Sequence, residues 1–235
     1  MKSREYSSYE EYISHQIEKT DDVHRRRRLS KLEEARQKIF EERFKLLKFR
    51  NAFEEDDFGL CLGARYGEEV RALKTQCRAV GIDLVEQLPD VVKGDFHNIP
   101  FPDEHFDFVY TNSLDHAYDL EKVFSEVERV LKKNAYLCVD VDFGADGKHE
   151  ATIINNLNDL ISKFSNKLKI IDCMMLIDTR AKNVREVVVQ KVPENINDVK
   201  NNLIVKPHQY VDEVRRFFQN AMKIAAAAGL LLEIK

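Results

Sequence analysis

A chain of 235 residues that is 43% hydrophobic can bury one sizeable α/β core with an extension, and it excludes two full-sized domains. The formal net charge of -4 excludes a nucleic-acid binder that works through general positive charge. No apolar run approaches the roughly 20 residues needed to span a bilayer, so a soluble chain is expected.

The opening MKSREYSSYEEY lacks the apolar segment of a secretory signal, and the expected location is cytoplasmic. Residues 8–50 contain neither proline nor glycine and are rich in Lys, Arg, Glu and Gln, which predicts one or two amphipathic helices broken at Asp21-Asp22. Ile13, Ile17, Leu29, Leu32, Ile39, Phe40, Leu46 and Leu47 are the apolar positions that such helices would bury. The cluster His24-Arg25-Arg26-Arg27-Arg28 faces nearby acids and spreads around a helix, which favours a solvated face or partner contact over nucleic acid.

From Phe58 the pattern changes. FGLCL, AVGIDLV, DVVKGD, FDFVYTN, AYLCVDVDF, LKIIDCMMLID and REVVVQKV read as seven strands, and GEEVRALKTQC, DLEKVFSEVERVLKK and ATIINNLNDLISKFS as helices between them. Alternation of strand and helix predicts a mostly parallel sheet covered on both faces. Residues 179–183 are too few for a crossover helix, so the last two strands should form an antiparallel hairpin. The tail YVDEVRRFFQNAMKIAAAAG predicts a final amphipathic helix stopped at Gly229. The expected organisation is a helical extension or lid over 1–55, an α/β core over 56–192, and a C-terminal loop and helix over 193–235. Cys61, Cys77, Cys138 and Cys173 have no CxxC spacing and read as reduced, mostly buried thiols.

Ligands of open parallel sheets bind at the carboxyl ends of the strands, and FGLCLGARYGEEV places Gly63 and Gly67 at the first strand-to-helix turn. Gly63 permits close backbone approach and Gly67 a positive φ or tight packing where the helix starts. Asp83 then ends the second strand, where a carboxylate can take both hydroxyls of a ribose. Asp95 and Phe96 end the third, as acceptor for an exocyclic amine and as a platform for adenine. Together they predict one pocket for an adenosine-bearing ligand. The glycine loop lacks the GxGxxG order of a dinucleotide site.

The succession CLGARYGEEV, GIDL and VVKGDFHNIPFPDEHFDFVYTNSLDHAYDLEKVFSEVERVLKKNAYLCVDVDFG resembles the class I S-adenosylmethionine-dependent methyltransferases, in particular the small-molecule branch called type 11. The resemblance covers roughly Phe58 to Gly144. It implies a seven-stranded Rossmann-like sheet with a reversed last strand and S-adenosylmethionine as cofactor. It places Gly63, Ala64 and Gly67 along the methionine portion, Asp83 at the ribose, Asp95 and Phe96 at adenine, and Asn112 and Ser113 facing methyl donor and acceptor. Cys61 stands where the family usually carries an acid, and Arg65-Tyr66 where small residues are common.

An oxygen acceptor needs a base, for which His116 and Asp115 are the candidates, the histidine near its ordinary pKa of about 6.5. The alternatives are that Asp115 caps the helix starting near Leu120 and that His116 packs beside the adenosine. Asp140, Asp142 and Asp146 with His149 form an oxygen-rich pattern after the fifth strand; it reads as a strand end or a substrate-hydroxyl site ahead of a metal site, and no metal is expected. The resulting expectation is O-methylation of a small polar acceptor such as a sugar or metabolite. The alternatives are an inactive methyltransferase-fold partner protein, fed by Cys61 and Arg65-Tyr66, and an RNA methyltransferase. A protein partner or a homo-oligomer would use the helical extension.

Overall fold

The computed structural model describes residues 1–175, 184–193 and 207–228. In chain order the elements are β1 (Lys2–Ser3), α1 (Tyr9–Asp21), α2 (Val23–Ser30), α3 (Glu33–Phe49), β2 (Phe58–Leu62), α4 (Glu68–Lys74), β3 (Arg78–Asp83), β4 (Val91–Lys93) and β5 (Phe106–Thr111). A 3-10 turn (Leu114–His116) follows, then α5 (Leu120–Val130), β6 (Leu131–Asp142), β7 (Thr152–Ile153), α6 (Leu157–Ile161), β8 (Leu168–Met175), β9 (Val184–Lys191) and α7 (Pro207–Ala227).

The main sheet has seven strands in the order β4-β3-β2-β5-β6-β9-β8. β2 to β6 pair in parallel, whereas β9 runs antiparallel to both β6 and β8. This is the expected sheet with a reversed last strand. The chain joining β8 to β9, like Gly229, lies outside the described residues.

Side-chain alternation divides the core between two faces. Leu60, Leu62, Phe106, Leu137, Val139 and Val189 lie on one, packed with Leu120, Val123, Phe124 and Val127 of α5. Cys61, Phe108, Tyr110, Cys138 and Val188 lie on the other, with Phe44 and Leu47 of α3 and Val70 and Leu73 of α4. Cys61, Cys77 and Cys138 are buried free thiols, while Cys173 is exposed. α7 rests on α3 through Leu46, Val184, Phe217 and Ala221.

α3 also brings two cations under the sheet. Arg50 is fully buried and pairs with Glu186 and Asp172, and Arg43 pairs with Asp140 and with Glu186 (3.0 Å). Tyr110 donates its hydroxyl to Asp140 (2.6 Å). Asp140 is therefore part of a buried ion network that clamps α3 to β6 and β9, rather than a strand-end or substrate group.

Three expectations need correction. The extension is three helices, because residues 31–32 form a second break after Asp22, whose side chain accepts from the His24 amide (2.9 Å). The helix expected over 151–165 shrinks to α6, capped by Asn156, because Thr152 and Ile153 leave to pair with Lys2 and Ser3 in a small second sheet. On α1 the buried residues are Tyr12, Gln16, Lys19 and Thr20, not Ile13 and Ile17. A face of that kind docks through hydrogen bonds, and what it docks on is polar.

Candidate cofactor and acceptor site

The carboxyl ends of β2, β3, β4 and β5 meet through direct backbone contacts. The Ala64 amide donates to the Ile82 carbonyl oxygen (3.0 Å), and the Gly94 amide to that of Asp83 (2.8 Å). The loop after β2 turns because Gly63 (φ 67°) and Gly67 (φ 79°) are left-handed. Gly63 has a second reason to be glycine: a Cβ there would come within 2.8 Å of the Ser113 side chain and 3.7 Å of the Phe96 ring. Gly63, Phe96 and Ser113 thus share one wall. Gly63→Ala should cost about 1–2 kcal/mol in a denaturant titration, from the positive φ and the displaced Ser113.

Asp83 sits at the centre. Its Oδ2 accepts from the Arg65 amide (2.9 Å) and its Oδ1 from the Val85 amide (3.2 Å). These bonds hold the carboxylate against burial, which pushes its pKa up. Asp95 is held differently. Its Oδ1 accepts from the His97 amide and from His97 Nδ1, both 2.8 Å, and its Oδ2 from the Tyr9 hydroxyl of α1. Burial pushes Asp95 up, but the bonds from His97 and Tyr9 outweigh it and keep the pKa below the usual carboxylate range. His97 Nε2 accepts the amides of Tyr118 and Asp119 (3.1 and 3.2 Å), which fixes the Nδ1–H tautomer and ties the Asp95 turn to the start of α5.

Two residues of the glycine loop also have structural work. The Ala64 methyl is fully buried beside Val70, so only its backbone faces the cradle. Gly67 is the cap residue of α4 and lies against Asp90, Val91 and Arg71. Asn112 accepts from the Ser113 hydroxyl (3.1 Å), which also reaches the Gly63 carbonyl oxygen (3.4 Å).

Asp115 and His116 lie in the 3-10 turn just beyond, and Asp119, not Asp115, caps α5 by accepting from the Lys122 amide (3.0 Å). His116 Nδ1 lies 3.0 Å from the His149 carbonyl oxygen, and Nε2 is hydrogen-bonded to Lys19 Nζ. Burial, joined by the Lys19 charge, drives the His116 pKa down to about 3, away from the ordinary value expected of it. Burial raises Asp115 to about 6. Glu150 completes the group: ligand atoms of Asp115, His116 and Glu150 lie within 4.8 Å of one another.

α1 covers this group with its polar face. Besides Tyr9 and Lys19, the Tyr12 hydroxyl donates to the His116 carbonyl oxygen (3.0 Å) and Gln16 to that of His149 (2.9 Å). Tyr66 of the glycine loop donates to the Thr20 carbonyl oxygen (2.9 Å). Sequence reasoning missed Tyr9, Tyr12, Gln16 and Lys19; their spacing of three or four residues was the available signal.

Glu69, next to Cys61, is a further buried acid. Burial first and the neighbouring Glu68 charge second raise its pKa to about 8. Its proton is held more tightly in the folded state than in the unfolded chain, so the stability this provides is complete below about 4.5 and is lost as pH rises through about 8. Glu69→Gln should raise the melting temperature by about 3–6 °C at pH 9 and leave it unchanged at pH 4.

Residues 60–139 match the family model described as a methyltransferase domain. The match covers less than half of the chain, and solved S-adenosylmethionine-dependent methyltransferases share its fold. The chain is 40% identical over 72 residues to sterol methyltransferase-like 1 of Botryococcus braunii, an alignment covering 28% of this chain and 18% of that protein. The chain spans less than a fifth of the length of the curated relatives it matches. A 1,6-didemethyltoxoflavin-N1-methyltransferase of Burkholderia thailandensis, solved with S-adenosylhomocysteine, shares the fold at a TM-score of 0.61 and 14% identity, over 82% of this chain and 94% of that one. The [4+2]-cyclase SpnF shares it at 0.52 and 15%, over 65% and 80%.

The residues present fit such a cofactor. A loop with no Cβ at Gly63, a carboxylate held at the end of β3 and an aromatic ring against Gly63 supply the backbone access, hydroxyl acceptor and flat apolar surface that such a group needs.

Proposed function

We propose that the chain is an S-adenosylmethionine-dependent methyltransferase that methylates an oxygen of a small polar acceptor, such as a sugar or metabolite hydroxyl. The observation that carries this reading is Asp83, a half-buried carboxylate at the end of β3 held by the amides of Arg65 and Val85, beside the loop whose Gly63 meets Phe96 and Ser113.

In this reading Asp83 takes the two ribose hydroxyls, Phe96 lies against adenine, and Asp95 shares its acceptor oxygens between the base and Tyr9. Gly63 and Ser113 let the methionine tail approach the end of β2, and Asn112 borders the acceptor. When bound, the cofactor supplies a methyl group on a positively charged sulfur. Transfer of that methyl requires close approach in a site shielded from water, and α1 provides the shield. Asp115, raised to about 6 by burial, offers a carboxylate to the proton that leaves the acceptor hydroxyl, and His116, whose Nε2 is held by Lys19, stands beside it.

A second reading, a partner protein that has kept the fold without turnover, is favoured by one observation: α1 side chains already hold Asp95 and His116. An RNA acceptor draws less support, because Arg26 of the basic cluster stacks 5.9 Å from the Tyr66 ring. Among the described residues no helix is long and apolar enough to cross a membrane.

The test is incubation with methyl-labelled S-adenosylmethionine and pools of hydroxylated metabolites, with products read by mass. A labelled methyl ether supports the first reading. Cofactor binding without transfer to any pool supports the second.

A further inference from the structure

We propose that Lys19, carried on α1, is a positioning residue for His116: its ammonium group donates to Nε2 and, with the His149 carbonyl oxygen at Nδ1, fixes the ring as the neutral Nδ1–H tautomer. The ring tautomer is then set, and its one lone pair held by Lys19, while α1 is docked. The proposal rests on the methyltransferase reading for its purpose, but its geometry is independent of any ligand.

The tautomer follows from hydrogen-bond inventory. A carbonyl oxygen can only accept, so the Nδ1 that lies 3.0 Å from the His149 oxygen carries the hydrogen. Nε2 is left with a lone pair, and the group bonded to it, Lys19 Nζ, must be the donor. Lys19 is 4% exposed, too buried to be a solvated lysine that happens to touch the ring. Burying an ammonium group without compensation is costly, and the compensation here comes from acids on separate segments. Asp115 lies 3.8 Å from His116 Nε2, and Glu150 belongs to the same group. Asp83 feels the Lys19 charge as well.

The charged and titratable groups around the ring are Lys19 from α1, Arg65 from the glycine loop, Asp115 from the 3-10 turn, and His149 and Glu150 from the segment before β7. Lys19 and Arg65 disfavour a proton on His116, and Glu150 favours one. Removing Lys19 therefore deletes both a repelling charge and the donor that occupies Nε2, and each change makes protonation of His116 easier. The Tyr12 hydroxyl on the His116 carbonyl oxygen ties the same turn to the same helix, so docking of α1 fixes backbone and ring together.

The experiment is nitrogen-15 NMR of the full chain labelled at histidine, with His116 assigned from the His116→Gln spectrum, titrated between pH 4 and 8. The parent should show an Nδ1–H ring that stays neutral above pH 4.5. In Lys19→Met the midpoint should rise by at least one pH unit, a tenfold gain in proton affinity, and Lys19→Arg should restore the parent curve. An Nε2–H ring or a midpoint near 6.5 in the parent overturns the proposal, and this arm stands even if Lys19→Met fails to fold. A folded Lys19→Met with the parent titration overturns it too. Calorimetry of the parent with S-adenosylhomocysteine separates the two readings: no binding beside the expected His116 curves removes the methyltransferase reading while the Lys19 assignment holds.

Discussion

Asp83→Ala should weaken binding of S-adenosylhomocysteine about 10- to 100-fold in calorimetry, while far-UV circular dichroism shows the fold intact. The magnitude follows from two ribose hydroxyls losing a charged acceptor in a half-buried site, at about 1–3 kcal/mol for the pair together. The substitution has a second consequence. The amides of Arg65 and Val85 now end on Asp83, so removing the carboxylate also releases the turn that presents the cradle. Asp83→Asn separates these effects, because its single amide oxygen keeps one of the two amide bonds while the charge is lost. An intermediate loss is expected for Asn. Unchanged affinity in both variants would remove Asp83 from the site.

The largest effect on stability is expected at Glu186, far from the cradle. This carboxylate is 1% exposed and receives both Arg43 and Arg50. Breaking a buried pair from one side leaves an uncompensated charge in the interior, and Glu186→Ala leaves parts of two. The expected loss is about 3–5 kcal/mol, read as a lower urea midpoint with an unchanged slope. Replacing the network by apolar groups should behave differently: Arg43→Met, Arg50→Met and Glu186→Leu together should recover much of the loss. Asp140 and Asp172 would still lose their partners in that triple variant, so full recovery is not expected. A Glu186→Ala protein as stable as the parent would show that the arginines have other partners of equal worth.

The core strands were legible because central strands of a parallel sheet are buried on both faces and read as continuous apolar runs. FGLCL and the apolar half of AYLCVDVDF are examples, and each appears as a strand in the sheet. The reversal of β9 followed from a connection too short for a crossover. The places of Asp83 at the end of β3 and of Asp95 and Phe96 just beyond β4 were legible from the strand pattern.

The contribution of α1 was not legible. Hydrophobic periodicity picks out Ile13 and Ile17, but this helix buries Tyr12, Gln16 and Lys19 because it covers backbone carbonyls and carboxylates rather than an apolar surface. The same cause hid the chemistry of His116. Its identity suggested a group titrating near neutrality, and only the burial and the Lys19 contact show otherwise. Asp140 differs from its expected role for a related reason: its partners Arg43 and Tyr110 are 97 and 30 residues away in the chain. The segment ATIINNL looked helical because Asn156, a strong cap, was read as an interior residue.

The central claim is that the cradle between Gly63, Asp83 and Phe96 holds an adenosyl sulfur cofactor. Isothermal titration of the full chain with S-adenosylmethionine, S-adenosylhomocysteine and NAD tests it most directly. The account predicts saturable micromolar binding of the first two and none of NAD. No heat from either sulfur ligand, with the protein shown to be folded, would contradict it.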